Sequence, residues 1–160
     1  MRRGSHYSLV RRMYIAMPIF RKKSRDLKEA EQFTKDFMEL MRQITAGLRS
    51  AETAAQATPQ LEMLEGLASH GMPQAVTFHG LAYLMDDKPW YDPQKGLSLL
   101  KKAAEDESAD SSFSMYQLGL FYLLGRKDIP TDPVMGKYWI ERAAALGFGP
   151  AIKELKSRWG

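Results

Sequence analysis

A block of this sequence occurs twice at an almost constant spacing. Residues 80–84 (GLAYL) return as residues 119–123 (GLFYL), and Asp92-Pro93 returns as Asp132-Pro133. The first pair is separated by 39 residues (119 − 80) and the second by 40 residues (132 − 92). Self-similarity at a period of about 20–50 residues indicates stacked supersecondary units that cannot bury their apolar faces alone. The pattern therefore predicts a repeat protein, and stacked repeats present an extended surface suited to binding.

The repeated positions each have a physical reason. Gly80 and Gly119 lie in the middle of the first predicted helix of each unit, where glycine costs about 1 kcal/mol relative to alanine. We therefore expect a partner helix to approach closely at both glycines. Asp92 and Asp132 are expected N-caps, each followed by proline at the first helical position. The second helices carry small residues for close packing, namely Ala103-Ala104 and Ala143-Ala144.

Helices are also predicted on both sides of the two units. Residues 24–50 place apolar side chains three and four positions apart, which predicts one long amphipathic helix. Residues 52–59 are small and polar and predict a turn or linker. Residues 61–68 then form a short helix, and residues 150–159 are expected to form a last helix that closes the stack.

The turns that end the second helices of the stack differ from one another. Gly71 and Gly147 are expected to end their helices, because glycine adopts the left-handed conformation that closes a helix. The equivalent position between the two units is Glu107. The acidic segment 105–111 is longer than its counterparts and predicts a surface loop that leaves the stack continuous.

Composition excludes several classes of protein. The 160 residues are 44% hydrophobic and 26% charged, which is ordinary for a soluble globular protein. The absence of cysteine excludes disulfides, thiolate metal sites and a cysteine nucleophile. No apolar run approaches the roughly 20 residues that a membrane span requires. We expect a cytoplasmic location, with export or organelle targeting by the N-terminus as the alternative.

The net charge of +4 hides a strong asymmetry along the chain. Residues 1–25 carry eight lysines and arginines and no acidic residue, so the remainder has a net charge of −4. We predict a basic N-terminal arm over residues 1–24 and a single helical-repeat domain over residues 25–160. Such an arm can attach to nucleic acid or to anionic lipid, can fold back on its own domain, or can be a targeting segment. The short apolar segment 13–20 is followed by basic residues instead of a cleavage site, which favours a retained arm.

The order Ala-x4-Gly-x2-Tyr, then Asp-Pro, then Ala-Ala, resembles the Sel-one-like repeat, a two-helix unit related to tetratricopeptide repeats. Two full units cover about residues 74–107 and 112–146. The resemblance implies an all-α fold: a right-handed α-solenoid of antiparallel helix pairs with N-terminal helices and a C-terminal capping helix. Three positions depart from the family pattern, with His79 in place of leucine, Ser114 in place of alanine and Glu107 in place of glycine.

The sequence offers no set of residues for chemistry. His70 and His79 lack metal-ligand spacing, and His79 next to Gly80 is interpreted as a half-buried structural histidine. Asp86-Asp87 is interpreted as part of a solvated turn. No nucleophile elbow or phosphate-binding glycine loop occurs. We therefore predict no catalytic residue, no cofactor, no metal site and no enzymatic activity.

A concave groove is the predicted binding surface. In the related tetratricopeptide arrangement, this face uses first-helix positions that flank the glycine and tyrosine. The corresponding residues here are mostly apolar, and large exposed apolar patches usually mark interactions: Thr77, Leu81, Leu84, Met85, Tyr116, Leu120, Leu123 and Leu124. Trp90 and Tyr91 stand in the turn where the second unit has Pro130-Thr131, and they are candidate partner anchors. The alternative is that this aromatic pair covers the long N-terminal helix.

The leading functional prediction is a non-enzymatic adaptor that binds a protein or peptide in this groove. The resemblance implies a second possibility, an immunity protein that neutralises a bacterial toxin. The basic arm suggests a third, attachment to nucleic acid or to an anionic membrane, and the long helix a fourth, homo-oligomerisation. The sequence does not identify the partner.

Overall fold

The structure is a computed structural model that describes residues 27–70, 72–106 and 111–160. The predicted basic arm, Gly71 and Glu107 lie outside these residues. Within them the chain is all-α, as predicted, and contains seven helices and no strand: α1 Leu27–Ser50, α2 Ala54–Ser69, α3 Pro73–Tyr83, α4 Pro93–Ala104, α5 Ser112–Leu124, α6 Pro133–Ala145 and α7 Gly149–Trp159. The right-handed twist of the stack stays a prediction.

The described residues divide into two compact units, with the boundary after Ala51. The domain bounds expected from the sequence stay a prediction. In the first unit, α1 confirms the predicted long amphipathic helix. On its polar face Arg42 pairs with Glu39 at 2.6 Å, and Gln43 donates to the same carboxylate. These two hydrogen bonds, the Arg42 bond first, lower the pKa of Glu39 to about 2.

The second unit begins with α2, and here the predicted linker over residues 52–59 is wrong. The helix starts at Ala54 because Thr53 and Gln56 form a capping box. The Thr53 hydroxyl accepts from the Gln56 backbone at 3.3 Å, while the Gln56 side chain accepts from the backbone nitrogen of Thr53 at 3.2 Å. Pro59 lies inside the helix. The reciprocal cap therefore starts α2 at Ala54, before the apolar residues 61–68 from which a short helix was predicted.

Each repeat is a pair of helices held at a glycine contact. A β-carbon added to Gly80 would lie 2.9 Å from the carbonyl oxygen of Gly96, and one added to Gly119 would lie 3.0 Å from that of Gly136. Along the first pair, Tyr83 bonds to Asp92 and Leu84 covers Gly96. These contacts join the end of α3 and its turn to the beginning of α4, and the antiparallel pairing of the helices stays a prediction, like the twist. The close approach inferred from the repeated glycines is confirmed, and each has a second glycine opposite it.

The two capping aspartates are confirmed and also fix the turns. The Asp92 carboxylate accepts from the backbone nitrogen of Lys95 at 2.9 Å, and Asp132 accepts from that of Met135 at 3.0 Å. The backbone nitrogen of Asp92 donates to the carbonyl of Tyr83 at 2.9 Å, and that of Asp132 donates to Tyr122 at 2.7 Å. Each aspartate thus begins the second helix and ties it to the end of the first.

The core of the second unit lies between the stacked pairs. One cluster of its buried side chains comes from α4 to α7, from the residue after α3 and from the turn before α6: Leu84, Leu100, Ala104, Met115, Leu118, Phe121, Ile129, Trp139, Ile140, Ala143 and Ala151. Gly147 ends α6 with a φ of +82°, as predicted for a closing glycine. The last helix, α7, contributes Ala151 to this core and confirms the predicted helix at residues 150–159.

Candidate protein-binding surface

Two of the predicted groove residues lie in the interior. Thr77 has no exposed surface, and its hydroxyl is hydrogen-bonded to the hydroxyl of Ser114 on the neighbouring first helix. Leu84 is buried and packs directly over Gly96. Both side chains therefore stabilise the stack, because burial and internal contacts leave them no surface for a partner. The Thr77 contact also accounts for Ser114, which stands where the family pattern has alanine.

The aromatic pair in the first interhelix turn makes internal contacts. Trp90 is buried, and its indole nitrogen donates to the carbonyl of Ala82 at 3.1 Å. The Tyr91 hydroxyl donates to the carbonyl of Lys127, in the corresponding turn of the second repeat. Burial is the first cause that raises the pKa of Tyr91, followed by the nearby carboxylates. Trp90 thus holds the turn to α3, and Tyr91 joins the two repeats.

The remaining predicted residues lie nearer the surface. Leu81, Tyr116, Leu120 and Leu123 are partly buried and pack against the core. Met85 is also partly buried. Leu124 is 63% exposed, the largest exposure among the predicted contact residues. These six side chains are the part of the predicted set whose surfaces a partner can reach.

A row of aromatic rings crosses the repeats beside these residues. The rings of Phe78 and Phe113 lie 5.8 Å apart, and those of Phe113 and Phe148 lie 6.3 Å apart. Tyr116 lies 5.4 Å from Phe148. All four rings are partly buried. The repeat pattern did not reveal this row, because Phe78 and Phe113 occupy different positions in their units and no periodic signal connects them.

The titratable groups near the repeats have structural partners. His79 is only 5% exposed and packs against Tyr83, with ring centroids 5.2 Å apart. Burial, and secondly the charge of Lys95, lower the pKa of His79. Asp86 pairs with Arg126 at 3.7 Å and so links the two interhelix turns. Among the described residues no three histidines or carboxylates gather as a metal site would require.

A cleft between the last two helices was not predicted from the sequence. It has a volume of about 420 Å³ and is lined by residues of α6 and by Trp159 of α7: Pro133, Val134, Lys137, Tyr138, Glu141 and Trp159. Val134 is 79% exposed, Tyr138 45% and Trp159 40%. The sequence signals this cleft only through Val134 and Tyr138, because the equivalent residues of the first repeat are the polar Gln94 and Ser98.

Paired helices with facing glycines, aspartate caps and alanine-lined second helices define a helical-repeat protein of stacked two-helix units. The family model of the Sel1 repeat matches residues 73–108 and residues 112–148. These ranges contain the units expected at about 74–107 and 112–146. Residues 73–108 and 112–148 of this chain are therefore similar to two Sel1 repeats.

A solved structure supports the same assignment. The chain is similar to a Sel1 repeat protein from Oxalobacter formigenes, with 28% sequence identity over 77% of this chain and 87% of the other, and a TM-score of 0.51. No curated protein matches the chain. Sel1 repeat proteins generally mediate contacts between proteins and are typically non-catalytic scaffolds. None of the described helices combines the length and hydropathy needed to cross a bilayer.

Proposed function

We propose that this chain is a non-catalytic binding module whose first repeat helices hold a segment of a partner protein. The observation that carries the proposal is the apolar surface of α5, where Leu120 and Leu124 lie on the same helix as Tyr116, a member of the row of aromatic rings. The two matches to the Sel1 repeat support a protein partner, since Sel1 repeats generally join proteins. The binding energy would come from burial of these apolar side chains, which contributes about 25 cal/mol per Å².

The proposed surface is narrower than the set predicted from the sequence. It comprises the residues with accessible surface: Leu81, Met85, Tyr116, Leu120, Leu123 and Leu124. The buried residues Thr77, Leu84 and Trp90 act indirectly, because they fix the spacing of the helices that present this surface. Tyr91 acts in the same way through its bond to Lys127.

The test is affinity capture from the native organism with purified chain, comparing the original sequence with Leu124→Glu. Leu124 is largely exposed, so the charge does not disturb the core. We expect captured partners to decrease at least tenfold, which corresponds to about 1.4 kcal/mol. Leu120→Glu is a second variant, and its melting temperature must be measured because Leu120 packs against the core.

Ser98→Glu is the matched control, since Ser98 lies on the second helix α4 and is exposed. It introduces the same charge outside the proposed surface and should leave capture unchanged. Partners that bind equally to Leu124→Glu and to the original chain would place the binding surface elsewhere.

A further inference from the structure

We propose that the cleft between α6 and α7 is a separate docking site for an acidic peptide segment with an apolar anchor side chain. The cleft of about 420 Å³ is lined by Val134, Tyr138 and Trp159 together with Lys137. The three apolar residues rank among the most exposed large hydrophobic side chains described. This site is independent of the surface proposed above, because none of its lining residues belongs to that surface.

The first repeat provides an internal comparison for the cleft. Forty positions before Val134 and Tyr138, the first repeat has Gln94 and Ser98, which are polar and exposed. A helix with polar residues at these positions folds and packs in the same way, so the fold does not require apolar ones. Exposed valine and tyrosine in the second repeat have no core to stabilise, and exposed apolar clusters of this kind mark interaction sites.

The cations around the cleft are held at aromatic rings. The ammonium of Lys137 lies 5.7 Å from the ring centroid of Trp159, and the guanidinium of Arg142 lies 5.6 Å from that of Tyr138. Forty positions before Lys137 the first repeat has Leu97, which packs against the core. A cation thus replaces an apolar residue where it can reach both the Trp159 ring and a ligand.

Charge along the second unit favours an acidic ligand at this end. Residues 133–160 contain five basic and two acidic residues, a net charge of +3. Residues 52–132 contain six basic and twelve acidic residues, a net charge of −6. Both acids of the last segment are paired, Glu141 with Lys137 at 3.6 Å and Glu154 with Arg158. Lys153 and Lys156 on α7 are exposed and make no ion pair with the described residues, so the net field of residues 133–160 attracts anions.

The apolar walls favour a peptide over a nucleic acid as the occupant. Val134 is the most exposed of the three apolar residues and has no π surface on which a base can stack. An aliphatic or aromatic side chain of a peptide fits beside it, while flanking carboxylates reach the cations around the cleft. Anchors of this type contribute most of the binding energy in peptide complexes.

Trp159 provides a direct probe for the test. Trp90 and Trp139 are buried, whereas Trp159 is 40% exposed, so acrylamide quenches mainly Trp159 fluorescence. Three synthetic 12-residue peptides share a central leucine and carry four flanking glutamates, glutamines or lysines. We expect the glutamate peptide to protect Trp159 from quenching with at least tenfold higher affinity than the glutamine peptide. Its affinity should fall as salt concentration rises, and the lysine peptide should give no protection.

The matched variant is Val134→Gln with Tyr138→Ser, which transfers the first repeat's own residues to the second. It should reduce the affinity for the glutamate peptide at least tenfold without lowering the melting temperature. Gln94→Val with Ser98→Tyr is the reciprocal control and should leave binding at Trp159 unchanged. Trp159→Phe should remove the fluorescence change and so confirm its source.

Each of the following results would overturn the proposal. They are the absence of protection by the glutamate peptide, equal protection by the three peptides, and binding that persists in the double variant. The fourth is that a second copy of the chain occupies the cleft and displaces the peptide. In that case the mass measured in solution would rise with protein concentration, and Trp159 would be protected from quenching without any peptide. A single-stranded oligonucleotide that protects Trp159 better than the glutamate peptide would instead identify a nucleic-acid site.

Discussion

The two repeats share a backbone framework but differ in what they place around it. Both have facing glycines and an aspartate cap bonded to the carbonyl of the preceding tyrosine. The first repeat places polar groups inside, with Thr77 and His79 buried, where the second has Tyr116 and Leu118. The second repeat places apolar groups outside, with Val134 and Tyr138 exposed. The glycines and capping aspartates that agree between the repeats therefore hold the fold, whereas the proposed cleft between α6 and α7 lies at positions that differ.

The glycine contacts are the strongest test of the shared framework. In Gly80→Ala and Gly119→Ala the new β-carbon meets a backbone carbonyl at 2.9 and 3.0 Å. Overpacking of this kind costs about 1–3 kcal/mol, which outweighs the gain of about 1 kcal/mol in helix propensity. We expect both variants to lower the free energy of unfolding in urea, to a similar extent.

Gly149→Ala is the control for this experiment, since nothing lies within 4 Å of a β-carbon at Gly149. Its free energy of unfolding should stay the same or rise slightly. If Gly80→Ala and Gly119→Ala are as stable as the original chain, the two helices of each pair do not need the close approach.

The buried hydroxyl pair tests a difference between the repeats. Thr77→Val removes the hydrogen bond to Ser114 and leaves the serine hydroxyl buried without that partner, at a cost of about 1–2 kcal/mol. Adding Ser114→Ala, the residue of the family pattern, removes the second polar group as well. The double variant should therefore lose less stability than the two single variants together. A double-mutant cycle in urea measures this coupling, and additive losses would show that the hydroxyls act separately.

The smallest expected effect is on the pH dependence of stability, because it comes from the titration of one group, His79. The pKa of His79 is lowered in the folded state, first by burial and then by Lys95, with Glu65 opposing them. Folding thus favours the neutral imidazole of His79. Its contribution to the free energy of unfolding is fully present above the unfolded-state pKa of about 6.5. It is lost as the pH falls below that value, because the unfolded chain then binds the proton more readily.

His79→Leu installs the residue that the second repeat carries as Leu118. Urea unfolding between pH 8 and pH 5 should show a smaller loss of stability for this variant than for the original chain. Identical pH profiles would mean that His79 titrates alike in the folded and unfolded states.

Repeated residues allowed most of the fold to be predicted, because capping and close helix packing depend on local residue types at fixed spacing. The glycines, the capping aspartates and Gly147 were recognised for this reason. The start of α2 was missed because small polar residues resemble a linker unless the reciprocal pairing of Thr53 with Gln56 is considered. Gly96 and Gly136 were also overlooked, although they are spaced by the same 40 residues (136 − 96) as the aspartates.

The binding surface was harder to predict than the fold. Successive helical residues point about 100° apart, so a small error in the rotation of α3 exchanges interior and surface positions. Thr77 and Leu84 were assigned to the groove in this way, yet both are buried. Trp90 was interpreted as a possible anchor because no repeat position explains it, but its indole bonds to Ala82. Contacts between turns depend on tertiary geometry that spacing does not encode.

The turn contacts between the repeats limit how this chain can be rearranged. Tyr91 reaches the carbonyl of Lys127, and Asp86 pairs with Arg126, so each turn is complementary to one neighbour. A longer array made by duplicating the second repeat would place Pro130-Thr131 where Tyr91 is needed, and the new junction would lack this hydrogen bond. The repeats are therefore not exchangeable modules, and lengthening the array requires the Tyr91–Lys127 pair to be rebuilt at every added junction.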